Sequence, residues 1–281
     1  MAPDFDNINH NVSSLNWTLE QGYSNDELDV YPRRAIGTGL RSGLTLLLGV
    51  PRRDLEYICA GAVQGFKVAV HSPGEVARVS DQNFRVPMRQ EMVVTVTPNM
   101  IKTAEGLTTY QPHIRQCFFN HERSLKHFQV YTQKNCEFEC LVNFTLSRCN
   151  CVKFSMPRNR DKKICTRADE TCYNHAENDF MAEDLKMRPQ KSTSDESLCN
   201  CLPSCTSITY DVEISHGDYE DEKFTVATSD EIPDTELSHL TIFFKESQFI
   251  TSKRSELYGL IDFLANCGGL LGKFCNSKYG C

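Results

Sequence analysis

The first fourteen residues of this chain, MAPDFDNINHNVSS, contain neither the charged segment nor the apolar segment of a secretory leader. No apolar run reaches the roughly 18 residues that a membrane-spanning helix needs, the longest early one being Leu44–Val50. There is no basic stripe. Thirty Lys and Arg stand against 37 Asp and Glu, for a net charge of −7 and a pI near 5.7, so nucleic acid is not an expected partner. No internal repeat and no low-complexity tract stands out. No cysteine sits in a nucleophile motif. The histidines (His10, His71, His113, His121, His127, His175, His216 and His239) are scattered, so an enzyme is not expected. What is present excludes wholesale disorder: 40% of the residues are apolar. A chain of 281 residues can bury a core in one or two domains.

The residue in excess is cysteine. Ten of the 14 fall between positions 117 and 205: Cys117, Cys136, Cys140, Cys149, Cys151, Cys165, Cys172, Cys199, Cys201 and Cys205. An even, dense set is a disulfide framework in an oxidising compartment or a metal site. The close pairs are C-x-C (149/151 and 199/201) and C-x3-C (136/140 and 201/205), not the C-x2-C of structural zinc, so disulfides are expected and neither metal nor cofactor is. Cys136 and Cys140 share a helix face about 6 Å apart. Cys199 and Cys201 share a strand face about 6.6 Å apart. Two such pairs can face each other and be bridged twice, but spacing alone leaves the connectivity open among many pairings. Three glycosylation sequons, at Asn11, Asn16 and Asn143, agree with an extracellular location. An oxidised, glycosylated chain without a leader is expected to be a piece of a longer exported protein.

Strands are expected at Ser42–Val50, entering a core, at Gly65–His71, and at Glu91–Thr97, stopped by Pro98. Asn120–Arg148 lacks Gly and Pro, and its apolar residues repeat at three and four, which predicts one long helix or two in line. A second helix is expected over Cys172–Met187, then a polar loop over Gln190–Ser197. Ser207–Ile214 alternates, with Ile208, Tyr210, Val212 and Ile214 on one face, and Leu237–Glu246 reads as another strand with Leu240, Ile242 and Phe244 inward. Strands, then helices, then strands predict an α+β fold with the helices segregated in a cysteine-stapled unit. Near the end, Leu257–Gly272 is mostly apolar, interrupted by Asp262 and Asn266. It reads either as a buried core helix or as the entrance of a membrane helix that the polar tail KFCNSKYGC does not continue.

Several segments together resemble the degenerin/epithelial sodium channel family, and within it the insect pickpocket branch. They are Tyr31-Pro32-Arg33-Arg34, Gly43-Leu44, GFKVAVHSP (65–73), NCEFECLVNFTLSRCNCVKFSMPR (135–158), CNCLPSC (199–205) and FLANCGGLLG (263–272). The resemblance implies a hand-like channel ectodomain with a β-sheet palm and a disulfide-rich helical thumb. On that map residues 1–110 are the N-terminal palm and finger strands, 111–206 the thumb, 207–256 the returning palm strands, and 257–281 a truncated start of the second membrane helix with a tail unlike the family. The family's nested thumb pairing implies Cys117–Cys205, Cys136–Cys201, Cys140–Cys199, Cys149–Cys172 and Cys151–Cys165. It leaves Cys59, Cys267, Cys275 and Cys281 without assigned partners. Ala265 matches the small residue at the mouth of the pore, and Gly268 and Gly269 the glycine pair after it. The family's G-L-F-x-G-x-S continuation is missing, since Lys273 and Asn276 stand where its Leu and filter Gly belong.

The implied function is a subunit, or partial subunit, of a stimulus-gated, amiloride-sensitive-type sodium channel at the plasma membrane. Its partners would be sodium, the membrane, and sister subunits in a homo- or hetero-trimer. The stimulus would be protons, a peptide, a small ligand or force, with the acidic stretches Asp218–Glu222 and Asp230–Glu236 as proton-sensing candidates against a reading as solvated loops. The fragment alone would not conduct, for want of an element that spans lipid. The alternative is a secreted, disulfide-rich binding or dominant-negative protein, distinguished by recovery of a soluble glycoprotein from the medium.

Overall fold

The computed structural model describes residues 17–23, 34–60, 62–187, 199–220, 234–256, 259 and 262–269. Its strands are β1 (Trp17–Thr18), β2 (Gly22–Tyr23), β3 (Leu44–Pro51), β4 (Gly65–Val68), β5 (Phe84–Pro87), β6 (Gln90–Thr103), β7 (Ser207–Asp218), β8 (Thr235–Phe244) and β9 (Thr251–Arg254). The helices are α1 (Tyr57–Ala60), α2 (Pro112–Arg115), α3 (Gln133–Cys149), α4 (Glu170–Met187) and a helical stretch at residues 262–269, here α5. The fold is α+β and rich in disulfides; α3 and α4 lie in the cysteine-rich middle of the chain, while α1 is a short turn between β3 and β4 and α5 follows β9.

The central sheet runs β3-β8-β6-β7, and β9 lies beside β6 beyond the end of β8. β6 is its spine: antiparallel to β7 along nearly its whole length, parallel to β8 from Glu91 to Val96, and parallel to β9 from Met100 to Thr103. Alternation puts Met92, Val94 and Val96 on one face with Leu240 of β8. The β4–β5 hairpin covers that face with Phe66, Val68, Phe84 and Val86, closing one core.

Pro98 does not stop β6, which runs five residues further. The Val96 carbonyl accepts from the Lys245 amide at 3.0 Å, so the amide two residues on is aimed at the same edge. There β8 has ended and β9 has not begun, so the N–H that proline lacks has no strand to serve. β3 also departs from expectation. It pairs with β8 alone and leaves Leu44, Leu46 and Leu47 exposed, so it is a sheet edge and not a core strand.

The helical unit has its own core. Phe138, Leu141 and Val142 of α3 bury against Val152 and Met156, with Phe180 of α4 packed alongside. α3 begins only at Gln133, so the long helix expected from Asn120 is not formed. Thr132 caps α3 by accepting from the Asn135 amide at 3.1 Å. Upstream, side chains take the backbone donors that a helix would give to its own carbonyls. Asn120 Oδ1 accepts from Tyr131 N at 2.7 Å, Glu122 from Phe119 N at 2.8 Å and Glu139 from His127 N at 2.8 Å. The expected second helix is α4, entered through a capping box in which Asp169 accepts from Thr166 and is held below the ordinary carboxylate range by those bonds. Gln190–Ser197 lies outside the described residues.

Leu240 is fully buried where β8 meets β6 and the hairpin. Leu240→Ala is expected to lower unfolding stability by about 2–5 kcal/mol, read as a lower denaturant midpoint at unchanged slope.

Candidate functional site: the crosslinked helical unit and its joint with the sheet

Residue Asn150 adopts a left-handed conformation (φ 54°) that ends α3 and turns the chain sharply. The turn sends its two neighbours in different directions. Cys149, still on the helix, is joined to Cys172 on α4, and Cys151 to Cys165 across a loop held by Val152 N to Lys163 O (3.0 Å) and Cys165 N to Val152 O (2.8 Å). Lower on α3, Cys136 and Cys140 lie one turn apart and are joined to Cys201 and Cys199. At the base, Cys117 is joined to Cys205 across 88 positions, with both residues fully buried. The Cα separations of the five, 5.0 to 6.1 Å, all lie within the ordinary disulfide range.

The base is where chain enters and leaves the unit. Phe118 and Ser204 form a parallel bridge, with Phe118 N donating to Pro203 O at 2.9 Å and Cys205 N to Phe118 O at 2.8 Å. Tyr131, 1% exposed, stands edge-on to Phe118 and donates its hydroxyl to Leu202 O at 2.6 Å. Burial pushes its phenol up to about 12, with the nearby Arg123 working the other way. Arg115 is buried beside this base. Its guanidinium lies over Phe119, donates to the Cys117 and Tyr110 carbonyls and pairs with Glu122, so its charge is fully partnered.

Two contacts tie the unit to the strands. Thr103, the last residue of β6, donates its hydroxyl to Cys205 O at 2.7 Å, and the next amide, Ala104 N, donates to Arg254 O of β9 at 2.8 Å. On the other side, buried Asn135 donates to Gly74 O at 2.7 Å and accepts from Val76 N at 3.2 Å, fastening α3 to the loop that follows β4. None of Thr103, Arg115, Tyr131 and Asn135 was marked as functional by the sequence. Their partners lie at positions that no local pattern specifies, although Asn135 stands inside the NCEFEC segment.

Among the remaining sequence-marked residues, Ala265, Gly268 and Gly269 lie in α5, exposed and not packed as a core helix. Cys267 is an unpaired thiol there, half-exposed. Cys59 is in α1 and its side chain is not described, while Cys275, Cys281, Asn11 and Asn16 lie outside the described residues. Asn143 is exposed on α3. Asp218 ends β7 and Glu236 is ion-paired to Arg52 at 2.8 Å, and half of the two acidic stretches falls outside the described residues. Among the described residues no group of three or more His, Cys, Asp or Glu is placed to hold a metal ion, and no helix is long and apolar enough to cross a membrane.

The family model for the amiloride-sensitive sodium channel matches residues 8–275, nearly the whole chain. The chain belongs to that family. It is 30% identical over 274 residues to pickpocket protein 28 of Drosophila melanogaster, covering 92% of this chain and 43% of that protein. It is 26% identical over 190 residues to the sodium channel protein Nach of Drosophila virilis, covering 67% of this chain and 46% of that one. With acid-sensing ion channel 1A of Danio rerio it shares 21% identity over 260 residues, 88% of this chain and 48% of that channel. The chain thus spans less than half the length of these relatives. It is a pickpocket-like member, and the relatives named for an activity are ion channels, not enzymes.

Removing the base crosslink by Cys117→Ser with Cys205→Ser is expected to lower stability by about 3–4 kcal/mol on chain-entropy grounds, because Cys136–Cys201 still closes most of the same loop, measured by denaturant unfolding against the intact protein. The raised Tyr131 pKa gives a second test. A folded-state pKa above the unfolded value means stability that is full below pH 10 and is lost as pH rises towards 12. Tyr131→Phe should remove that alkaline loss and the tyrosinate absorbance step near pH 12. At neutral pH it should cost about 1–3 kcal/mol, because the Leu202 carbonyl is left without its donor.

Proposed function

We propose that this chain is extracellular material of a subunit in a stimulus-gated, amiloride-sensitive-type sodium channel. In this reading residues 111–206 are a thumb-like lever and the strands of 1–110 and 207–256 a palm-like sheet. Residues 257–281 stand at the start of the second membrane helix, with Ala265, Gly268 and Gly269 at the pore entrance. The observation that carries it is the joint. The crosslinked base meets the end of β6 through the Thr103 hydroxyl, and β6 at that point is paired with β9, the last strand before α5. A displacement of the stiff unit therefore reaches Met100–Thr103 first and passes by main-chain hydrogen bonds to Thr251–Arg254, which lead towards the pore end. A stimulus works this train only if it binds or loads the open and closed arrangements differently.

The channel would form with sister subunits, as a homo- or hetero-trimer at the plasma membrane, with sodium as the conducted ion. Residues 1–281 alone would carry no current, in keeping with the finding that no helix among the described residues is long and apolar enough to cross a bilayer.

The test is expression of the full-length gene product, with related subunits, under voltage clamp. Ala265→Val should raise the unstimulated amiloride-sensitive sodium current by roughly fivefold, the size of a coupling of about 1 kcal/mol, at unchanged surface amount. Thr103→Val should leave surface amount unchanged and shift the half-maximal stimulus. No current in any subunit combination, with the protein recovered from the medium as a soluble glycoprotein, would reject the channel reading.

A further inference from the structure

The sequon Asn143-Phe144-Thr145 lies wholly inside α3, and its three side chains are placed very differently. Asn143 points into solvent. Phe144 is locked against α4, edge-on to Phe180 with ring centroids 5.5 Å apart, and Arg148 lies over its other side at 4.8 Å. Thr145 is 0% exposed, and its hydroxyl is buried without a hydrogen-bond partner. A glycosyltransferase must read the hydroxyl of the third residue and needs the three residues in a non-helical turn. The folded unit offers neither. Reaching the hydroxyl would require freeing α3 from α4, to which it is held by Cys149–Cys172 and by the Arg148 ion pairs with Asp179 and Glu183.

We propose that Asn143 carries an N-linked glycan that is added only before α3 closes, so that the residue is a site of the nascent chain and not of the finished protein. In the reaction the Asn143 amide nitrogen forms a bond to the anomeric carbon of a polyprenyl-diphosphate-linked oligosaccharide. The sugar–phosphate bond breaks, the polyprenyl diphosphate departs as the leaving group, and the amide proton is lost to an enzyme base. The order of the cysteines supplies the opportunity. Cys172, the first partner to hold α3 from outside, follows Asn143 by 29 positions, and Cys199 follows it by 56. At about 5–20 residues per second of synthesis these separations give windows of roughly 1–6 s and 3–11 s. Once the sugar is attached, the finished fold accommodates it, because Asn143 faces solvent and the ring contacts of Phe144 and the burial of Thr145 are undisturbed.

The inference rests on the extracellular reading above, and the experiment separates the two. The full-length protein is expressed in insect cells and occupancy at Asn11, Asn16 and Asn143 is read by mass spectrometry after enzymatic deglycosylation in heavy-oxygen water. Protein made while synthesis of the lipid-linked donor is blocked is then purified folded and offered oligosaccharyltransferase with the donor, before and after reduction and denaturation. The expected result is occupancy at Asn143 in cells, loss of transfer to it in the folded unglycosylated protein, and its return after reduction. Thr145→Ser, which keeps the sequon, should retain occupancy in cells, and Asn143→Gln should lose it. Asn143 empty in cells while Asn11 or Asn16 is occupied overturns the inference, as does efficient transfer to the folded protein. All three sites empty overturns the extracellular reading and the inference with it.

Discussion

The Cys117–Cys205 bond is the constraint on which the helical unit depends. Everything between those two residues is a closed loop whose ends are held 5.0 Å apart between Cα atoms, and the other four crosslinks lie within it. Nested loops share the same lost chain entropy, so the inner bonds add less to stability than their separate loop lengths suggest. Their effect is on shape. Two fix α3 against the returning segment 199–201, one fixes α3 against α4, and one fixes the turn after Asn150 against the loop at Cys165. The unit keeps its own apolar core, distinct from that of the sheet.

How they are joined follows from chain order. β6 and β7 flank the unit in sequence and are antiparallel neighbours in the sheet, so the outgoing and returning chains reach the base side by side. Closure of the loop and pairing of the strands reinforce each other. The Thr103 hydroxyl bond to Cys205 O lies between the last residue of the sheet's spine and the base crosslink. Asn135 gives a second point of attachment at the hairpin side, so the unit is held at two places and not at one.

Much of the fold was legible from alternation and turn residues: β7, β8 and α4 stand close to where their patterns put them. The misreadings have specific causes. The segment from Asn120 to Tyr131 has a helix-like spacing of apolar residues, but Asn120 and Glu139 take the amides of Tyr131 and His127 into hydrogen bonds 11 and 12 positions away, and a single-sequence pattern cannot see those partners. Pro98 looked like a stop because its cost depends on which edge it faces, a property of the assembled sheet. β3 looked like core because its leucines are apolar, yet only one strand lies beside it. For the site, cysteine spacing admitted several connectivities, and the resemblance, not geometry, set one apart. Thr103, Tyr131 and Asn135 were illegible for a common reason: each acts on a main-chain group brought near only by folding, whereas the partners of Arg115 are local and carry no recognisable motif.

The gap at Pro98 gives the sheet a seam. β9 hangs on β6 by four residue pairs, Met100 to Thr103, and no bond at position 98 continues it into the pairing with β8. Peeling β9 away therefore breaks no hydrogen bond of β8, while the ladder to β7 runs past the proline without a break from Gln90 to Ile101. The sheet is built as two panels on a shared spar, a large one that sets the shape and a narrow one fastened to the spar separately.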